Sequence, residues 1–287
     1  VDVPQIFDPQ LRSRRRDRAQ PGYADHSFLR DAMVEGLLDR LDLVTRRFAD
    51  ALDLGCADGS LTRALQARGM TVTATDSGPR FAEAVGGIVA DEDRLPFAPE
   101  SFDLIVSAGV LDTVNDLPGA LVQCRRALRP DGLFLAAFAG AGSLAKLRRA
   151  LLAADGAVGD VVVQRTHPLV DVRAAGDLLG RTGFALTVAD GEPLDVGYGT
   201  VFGLLCDLRG MAATNLLTGQ RPPWLGRARL AALSEAFAAQ ADEDGRVRER
   251  FEIVFMTGWA PGPDQPKPAR RGSATASLTA ALKGRSE

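Results

Sequence analysis

The chain has 287 residues, 46% hydrophobic and 25% charged, a globular composition long enough for one large core or two small ones. Its 34 basic and 37 acidic residues leave a net charge of -3, which excludes a protein that grips nucleic acid over its whole surface. No stretch approaches the ~20 apolar residues of a membrane span, and the opening residues hold no apolar run of the signal-peptide kind.

Cys56, Cys124 and Cys206 lie far apart with no CxxC pair, so neither a disulfide framework nor a structural zinc site is expected, and a reducing compartment is. Residues 1–20 are polar and carry Arg12, Arg14, Arg15, Arg16 and Arg18. The run reads most simply as a solvated helix face, and otherwise as a lid over a ligand or a dock for an acidic partner. Leu29, Met33, Leu37, Leu38 and Leu41 then recur at helical spacing, so 1–45 forms an N-terminal arginine-rich, helical segment.

From residue 51 the pattern alternates. Short apolar runs at 51–54, 71–76, 87–90, 102–108 and 133–139 predict strands, with helices at 61–67 and from Asp116 onward. Arg129-Pro130-Asp131-Gly132 reads as a stop and turn. Strands alternating with helices predict a parallel, doubly wound α/β sheet.

Farther on, helices are expected at 143–155 and 171–179 and a strand at 183–189. Two helical stretches, near 200–211 and 227–240, fall within 192–250, which interrupts the rhythm and is assigned to an insertion over the acceptor side of a pocket. Residues 251–259 make the last strand, and 261–287, rich in Pro, Gly, Arg and Ser, read as a mobile tail.

The chemistry concentrates at Asp53-Leu-Gly-Cys-Ala-Asp-Gly59, between a strand and a helix. Small residues at 55, 57 and 59 allow a sharp turn and close approach of a ligand. The spacing is GxAxG, not the GxGxxG of dinucleotide folds, and an acid stands two residues before the first glycine. A pyrophosphate disfavours a nearby carboxylate. The ammonium and sulfonium of S-adenosylmethionine favour one, so the loop reads as a site for that cofactor. Asp76, ending the second strand, is placed to accept both ribose hydroxyls, and Asp91, after the third, to accept from the adenine amino group. Ser107 ends the fourth strand at the carboxyl edge, where open α/β sheets bind ligands.

Together with Leu95-Pro96-Phe97, Phe102-Asp103-Leu-Ile-Val and Leu128-Arg-Pro130-Asp-Gly132, these residues resemble the class I S-adenosylmethionine-dependent methyltransferases. The resemblance implies a seven-stranded, mostly parallel Rossmann-like sheet with an antiparallel final strand, within a cofactor-binding domain at 46–260. It also implies cofactor contacts at Asp53, Gly55, Gly59, Asp76, Asp91 and Ser107, with Cys56, Ser77 and Glu92 beside them.

A second set of motifs is Ile6-Phe7-Asp8, Val114-Asn115-Asp116-Leu117-Pro118, Leu178–Phe184, Asp207-Leu208-Arg209-Gly210-Met211 and Arg271–Thr275. These are similar to the mitochondrial complex I assembly factor 5 family with its alphaproteobacterial relatives, and more distantly to the biotin-pathway malonyl-carrier-protein methyltransferase. The resemblance implies an enzyme that transfers methyl groups to a protein or carboxylate acceptor, or a protein arginine hydroxylase, or a non-catalytic assembly scaffold that retains the cofactor. A complex I subunit is the implied protein partner. The implied compartment is the bacterial cytoplasm, or the mitochondrial matrix in a eukaryote, with peripheral membrane association left open.

Where that family usually carries His-Trp or Gln-Trp, this chain has Asp112-Thr113. The carboxylate either attracts a guanidinium or marks a less active site. His26 and His167 stand far apart without HxD spacing, so no iron site and no metal is expected. Asp112 and Tyr198 are acceptor-side candidates, and no catalytic residue is assigned.

Overall fold

The computed structural model describes residues 4–159, 163–219, 225–263 and 265. The mobile tail and the Arg271–Thr275 motif expected from the sequence lie almost wholly outside the described residues.

In chain order, helices α1 (Pro9–Ala19) and α2 (Phe28–Asp42) precede β1 (Asp50–Leu54), α3 (Ser60–Ala67), β2 (Thr71–Asp76), α4 (Pro79–Ala84), β3 (Ile88–Val89) and β4 (Phe102–Ala108). Then come α5 (Leu117–Ala127), β5 (Leu128–Ala139), α6 (Ala145–Val158), α7 (Val172–Arg181), β6 (Ala185–Tyr198), α8 (Val201–Gly210), α9 (Arg227–Ala238) and β7 (Val247–Trp259). The seven strands form one sheet in the order β3-β2-β1-β4-β5-β7-β6. β1 pairs in parallel with β2 and β4, and β4 with β5, whereas β7 runs antiparallel to both β5 and β6. This is the seven-stranded sheet with an antiparallel last strand that the sequence implies.

The strand residues divide by parity, because successive side chains leave a strand on opposite faces. Leu104, Val106, Leu133, Leu135 and Phe255 join the core beneath α2, α3, α6, α8 and α9. Ile105, Phe134, Phe138, Val254 and Met256 join the core beneath α5 and α7. Burial on both faces explains why β4 is apolar with so little interruption. Helix starts are set by local chemistry: the Asp116 side chain accepts from Gly119 N at 2.8 Å at the start of α5, and Asp171 from Ala174 N at 2.8 Å at that of α7.

Three sequence expectations are corrected. The arginine run is not a solvated face throughout, since Arg12 and Arg16 of α1 are buried. Arg129-Pro130-Asp131-Gly132 does end α5, but it belongs to β5 as an irregularity in the pairing with β4, with Asp131 left-handed at φ 60°. Finally, β6 extends to Tyr198 and β7 starts at Val247, so 192–198 and 247–250 are sheet, and the helices of the insertion, α8 and α9, lie between them. β6 is an edge strand that exposes Leu186 and Val188 and carries Asp190, Glu192 and Asp195, so it lacks the alternation by which a half-buried strand is recognised. Among the described residues no helix is long and apolar enough to cross a membrane.

Candidate functional site

The carboxyl ends of β1, β2 and β4 meet in one cleft, at the point where the strand order reverses beside β1. The loop after β1 turns through Gly55 (φ 85°), Ala57 (φ 45°) and Gly59 (φ 75°). A Cβ on Gly55 would lie 2.4 Å from Val110, and one on Gly59 2.4 Å from Val85, so both glycines are required by space as well as by backbone. The amides of Gly55 and Cys56 donate to Thr75 O at 2.9 and 2.8 Å, tying the loop to β2.

Asp76 is fully buried at the end of β2. Its carboxylate accepts from Gly78 N at 2.7 Å, Ala57 N at 3.0 Å and Arg16 Nε at 2.6 Å, and also from a terminal nitrogen of Arg16. Burial by itself would raise this carboxyl, but the Arg16 charge and these bonds outweigh it and hold it below the ordinary value. Arg30 of α2 donates to the carbonyls of Gly55 at 2.9 Å and Cys56 at 2.8 Å, and to that of Ala108. Arg12 donates to Glu92 at 2.5 Å and to Val110 O at 3.3 Å.

The remaining expected residues are placed as follows. Asp53 is buried under the loop, with one oxygen accepting from Thr62 Oγ1 at 2.6 Å; burial pushes its carboxyl up. Asp91 is half-exposed and accepts from Asp93 N at 3.1 Å, whereas Glu92 turns into the cleft and is buried. Ser107 Oγ donates to Leu54 O at 2.9 Å. Cys56 is buried and its thiol is pushed up by burial, which is no environment for a nucleophile. Sequence reasoning gave Arg12 and Arg16 a place at the site only through the alternative reading of the arginine run as a lid, and it missed Arg30. Arg30 left a signal, a charge beside Leu29 on the apolar face of α2.

Several buried polar atoms in this cleft make no hydrogen bond: Asp53 Oδ1, Ser77 Oγ, Glu92 Oε1 and Arg30 Nε, the last lying 3.6 Å from the Asp58 carboxylate. A buried polar atom without a bond is costly, so such a cluster marks where a ligand completes the pairing. With the Asp76 carboxylate and the carbonyls of Gly55, Cys56 and Ala108, it makes an acceptor-rich cleft. That fits a ligand with an ammonium, a ribose diol and an amino-purine.

Beside the cleft lies a chamber of about 260 Å³, walled by apolar side chains such as Leu29, Leu147, Leu208 and Phe251, with Arg148, Arg165 and His167 also in its lining. Asp112 and Thr113 line it. Asp112 lies on the short turn Leu111–Thr113, two residues past Val110, whose carbonyl accepts from Arg12 of the cleft, so it stands between cleft and chamber; burial raises its carboxyl. Tyr198 is buried in the core at the end of β6.

A methyltransferase-domain model matches residues 52–136, the stretch that builds the cleft. The human protein named arginine-hydroxylase NDUFAF5, mitochondrial, is 33% identical over 95% of this chain and 82% of its own. A malonyl-[acyl-carrier protein] O-methyltransferase of Gallionella capsiferriformans is 28% identical over 90% of this chain and 93% of its own. Among solved structures, the YcgJ protein of Bacillus subtilis shares the fold with a TM-score of 0.54 at 14% identity, covering 79% of this chain and 98% of its own. Strand order, glycine loop and strand-end acid therefore define an S-adenosylmethionine-binding protein of the methyltransferase class. Within that class the chain belongs to the NDUFAF5 arginine-hydroxylase family.

Proposed function

We propose that the chain uses S-adenosylmethionine bound along Asp76 to methylate an arginine side chain of a partner protein, with the guanidinium held at Asp112. The observation that carries this reading is Asp112, the one carboxylate among the residues that line the chamber, on the turn that leads from the cleft. An arginine stem packs against leucines while its head seeks a carboxylate. A carboxylate acceptor would instead face Asp112, and two close carboxylates resist joint ionisation.

When bound, the cofactor supplies an electrophilic methyl group. Asp53, Asp76 and the loop carbonyls orient it, the leucine wall excludes water, and the Asp112 carboxylate both aligns the acceptor nitrogen and receives the proton it releases. Alignment within about 3–3.5 Å supplies much of the rate. The name of the human relative favours arginine as the target and also supports a second reading, hydroxylation of the same side chain. The acceptor protein is a complex I subunit, and the compartment is the bacterial cytoplasm or, in a eukaryote, the mitochondrial matrix.

The test is to incubate the protein with methyl-labelled cofactor and a complex I subunit in air and weigh the tryptic peptides. A gain of one methylene with label on arginine supports methylation, and a gain of one oxygen atom without label replaces it with hydroxylation. No product, with cofactor raising the melting temperature, leaves a scaffold. Asp112→Asn is expected to lower kcat/KM for the arginine acceptor at least tenfold, about 1.4 kcal/mol, with unchanged affinity for S-adenosylhomocysteine. Undiminished turnover of Asp112→Asn would sink the acceptor assignment.

A further inference from the structure

We infer that the N-terminal segment is a built-in surrogate for the cofactor, and that S-adenosylmethionine binds by displacing Arg16 from Asp76 and pivoting α1 away from the cleft. The inference rests on the cofactor class and not on the identity of the acceptor.

Three guanidinium groups engage the acceptors of the cleft. Arg16 forks onto Asp76, Arg30 covers the carbonyls of Gly55, Cys56 and Ala108, and Arg12 holds Glu92. These acceptors suit a ribose diol, an ammonium and an exocyclic amino group. The Asp76 carboxylate settles the matter. Two carboxylate oxygens offer about four acceptor positions, and all are taken, by the amides of Gly78 and Ala57 and by two nitrogens of Arg16. Gly78 and Ala57 are fixed by the fold, so two ribose hydroxyls gain their bonds only where Arg16 leaves.

Arg16 is buried against the start of α4. A Cβ on Gly78 would lie 2.8 Å from Arg16 Cβ, and the guanidinium carbon sits 5.1 Å from the Phe81 ring centre. The adjacent Asp17 accepts from Arg80 N at 3.0 Å, pinning α1 to the start of α4. Arg16 and Asp17 tie the same turn of α1 to the start of α4, so the displacement is assigned to the helix as a unit.

The flanks of α1 are anchored so that a pivot keeps the segment attached. On one side, Ile6 N and Phe7 N donate to Asn115 at 2.7 and 2.8 Å, Phe7 bridges to Leu217, and its ring meets His167 edge-on at 5.1 Å. His167 is neutral, its pKa lowered to about 4 by burial and by Arg15, and its Nε2 accepts from Leu216 N at 2.7 Å. On the other side, His26 meets Asp207 at 2.8 Å and lies against Gly210, where a Cβ would come within 2.0 Å of the ring. Between α1 and His26 runs a 3-10 turn, Gln20–His26, whose Tyr23 packs edge-on against Phe81 at 5.1 Å and serves as the fulcrum. The motifs Ile6-Phe7-Asp8, Asn115 and Asp207–Met211 thus share one task, holding the ends of a movable strap.

Exchanging a buried ion pair for equally good bonds to a ligand is close to neutral, so the device taxes affinity without forbidding binding. Hydrogen exchange on the full chain, with and without saturating S-adenosylhomocysteine, reads the motion. The expected result is faster exchange at 9–19 and slower exchange at 53–59 and 76–78. Slower or unchanged exchange at 9–19 overturns the proposal. By calorimetry, folded Arg16→Gln is expected to bind S-adenosylhomocysteine about tenfold more tightly. Equal or weaker affinity overturns it, and Arg16→Gln that fails to fold leaves the exchange result to decide. Binding to neither protein removes the cofactor assignment and the proposal with it.

Discussion

Replacing Asp76 by alanine is expected to cost about 3–5 kcal/mol of stability, because it strands the buried Arg16 guanidinium without its partner. At this chain length that is a fall in melting temperature on the order of 10 °C. The same change removes the only buried carboxylate at the end of β2, so S-adenosylhomocysteine binding should be lost in calorimetry. The effect also has a pH signature, best read with Asp76→Asn. The folded carboxyl titrates below its ordinary value of 3.8, so more protons bind to the unfolded chain in that window and stability falls as pH drops through it. The contribution is complete at neutral pH and fades below about pH 4. Melting curves of the wild type and Asp76→Asn should therefore converge in acid, and a gap that stays constant down to pH 3 would refute the pairing.

Gly55→Ala is expected to cost about 2–5 kcal/mol. A left-handed backbone contributes about 1–2 kcal/mol, and pressing a methyl group into Val110 contributes about 1–3 kcal/mol. Val110 is β-branched and stiff, and it is itself buried, so it cannot turn aside cheaply. The added strain rotates the loop carbonyls, so affinity for S-adenosylhomocysteine should drop at least tenfold, about 1.4 kcal/mol. Gly69→Ala is the control: Gly69 has the same φ of 85°, but a Cβ there meets nothing within 4 Å. It should lose only the backbone part and bind normally. Equal losses of stability in the two variants would show that strain, and not crowding against Val110, governs the loop.

The parts of the site that were legible in the sequence are those whose physics is local. Gly55 and Gly59 announce a tight loop because their backbone angles are open to few other residues. Asp53 and Asp76 stand at strand ends that apolar runs delimit, and α5 and α7 start at acids that bond amides three residues on. Less could be read where a single step along the chain decides direction. Asp91 and Glu92 are neighbours, yet the turn at Asp91–Arg94 exposes one and buries the other. Ser107 was legible as a strand end, but only the β1–β4 register shows its hydroxyl donating to Leu54 O.

By itself the sequence determined the alternation of strands and helices, the two-faced core and the sharp glycine bend, since all follow from periodicity and backbone freedom over a few residues. Tertiary structure alone decided which charges are buried. α1 is polar on every side, and nothing within it says that Arg16 will meet an aspartate far along the chain. A guanidinium is stable in the interior only when acceptors reach it from elsewhere, a carboxylate for Arg16 and backbone carbonyls for Arg30. That condition belongs to the folded molecule and not to any segment of it.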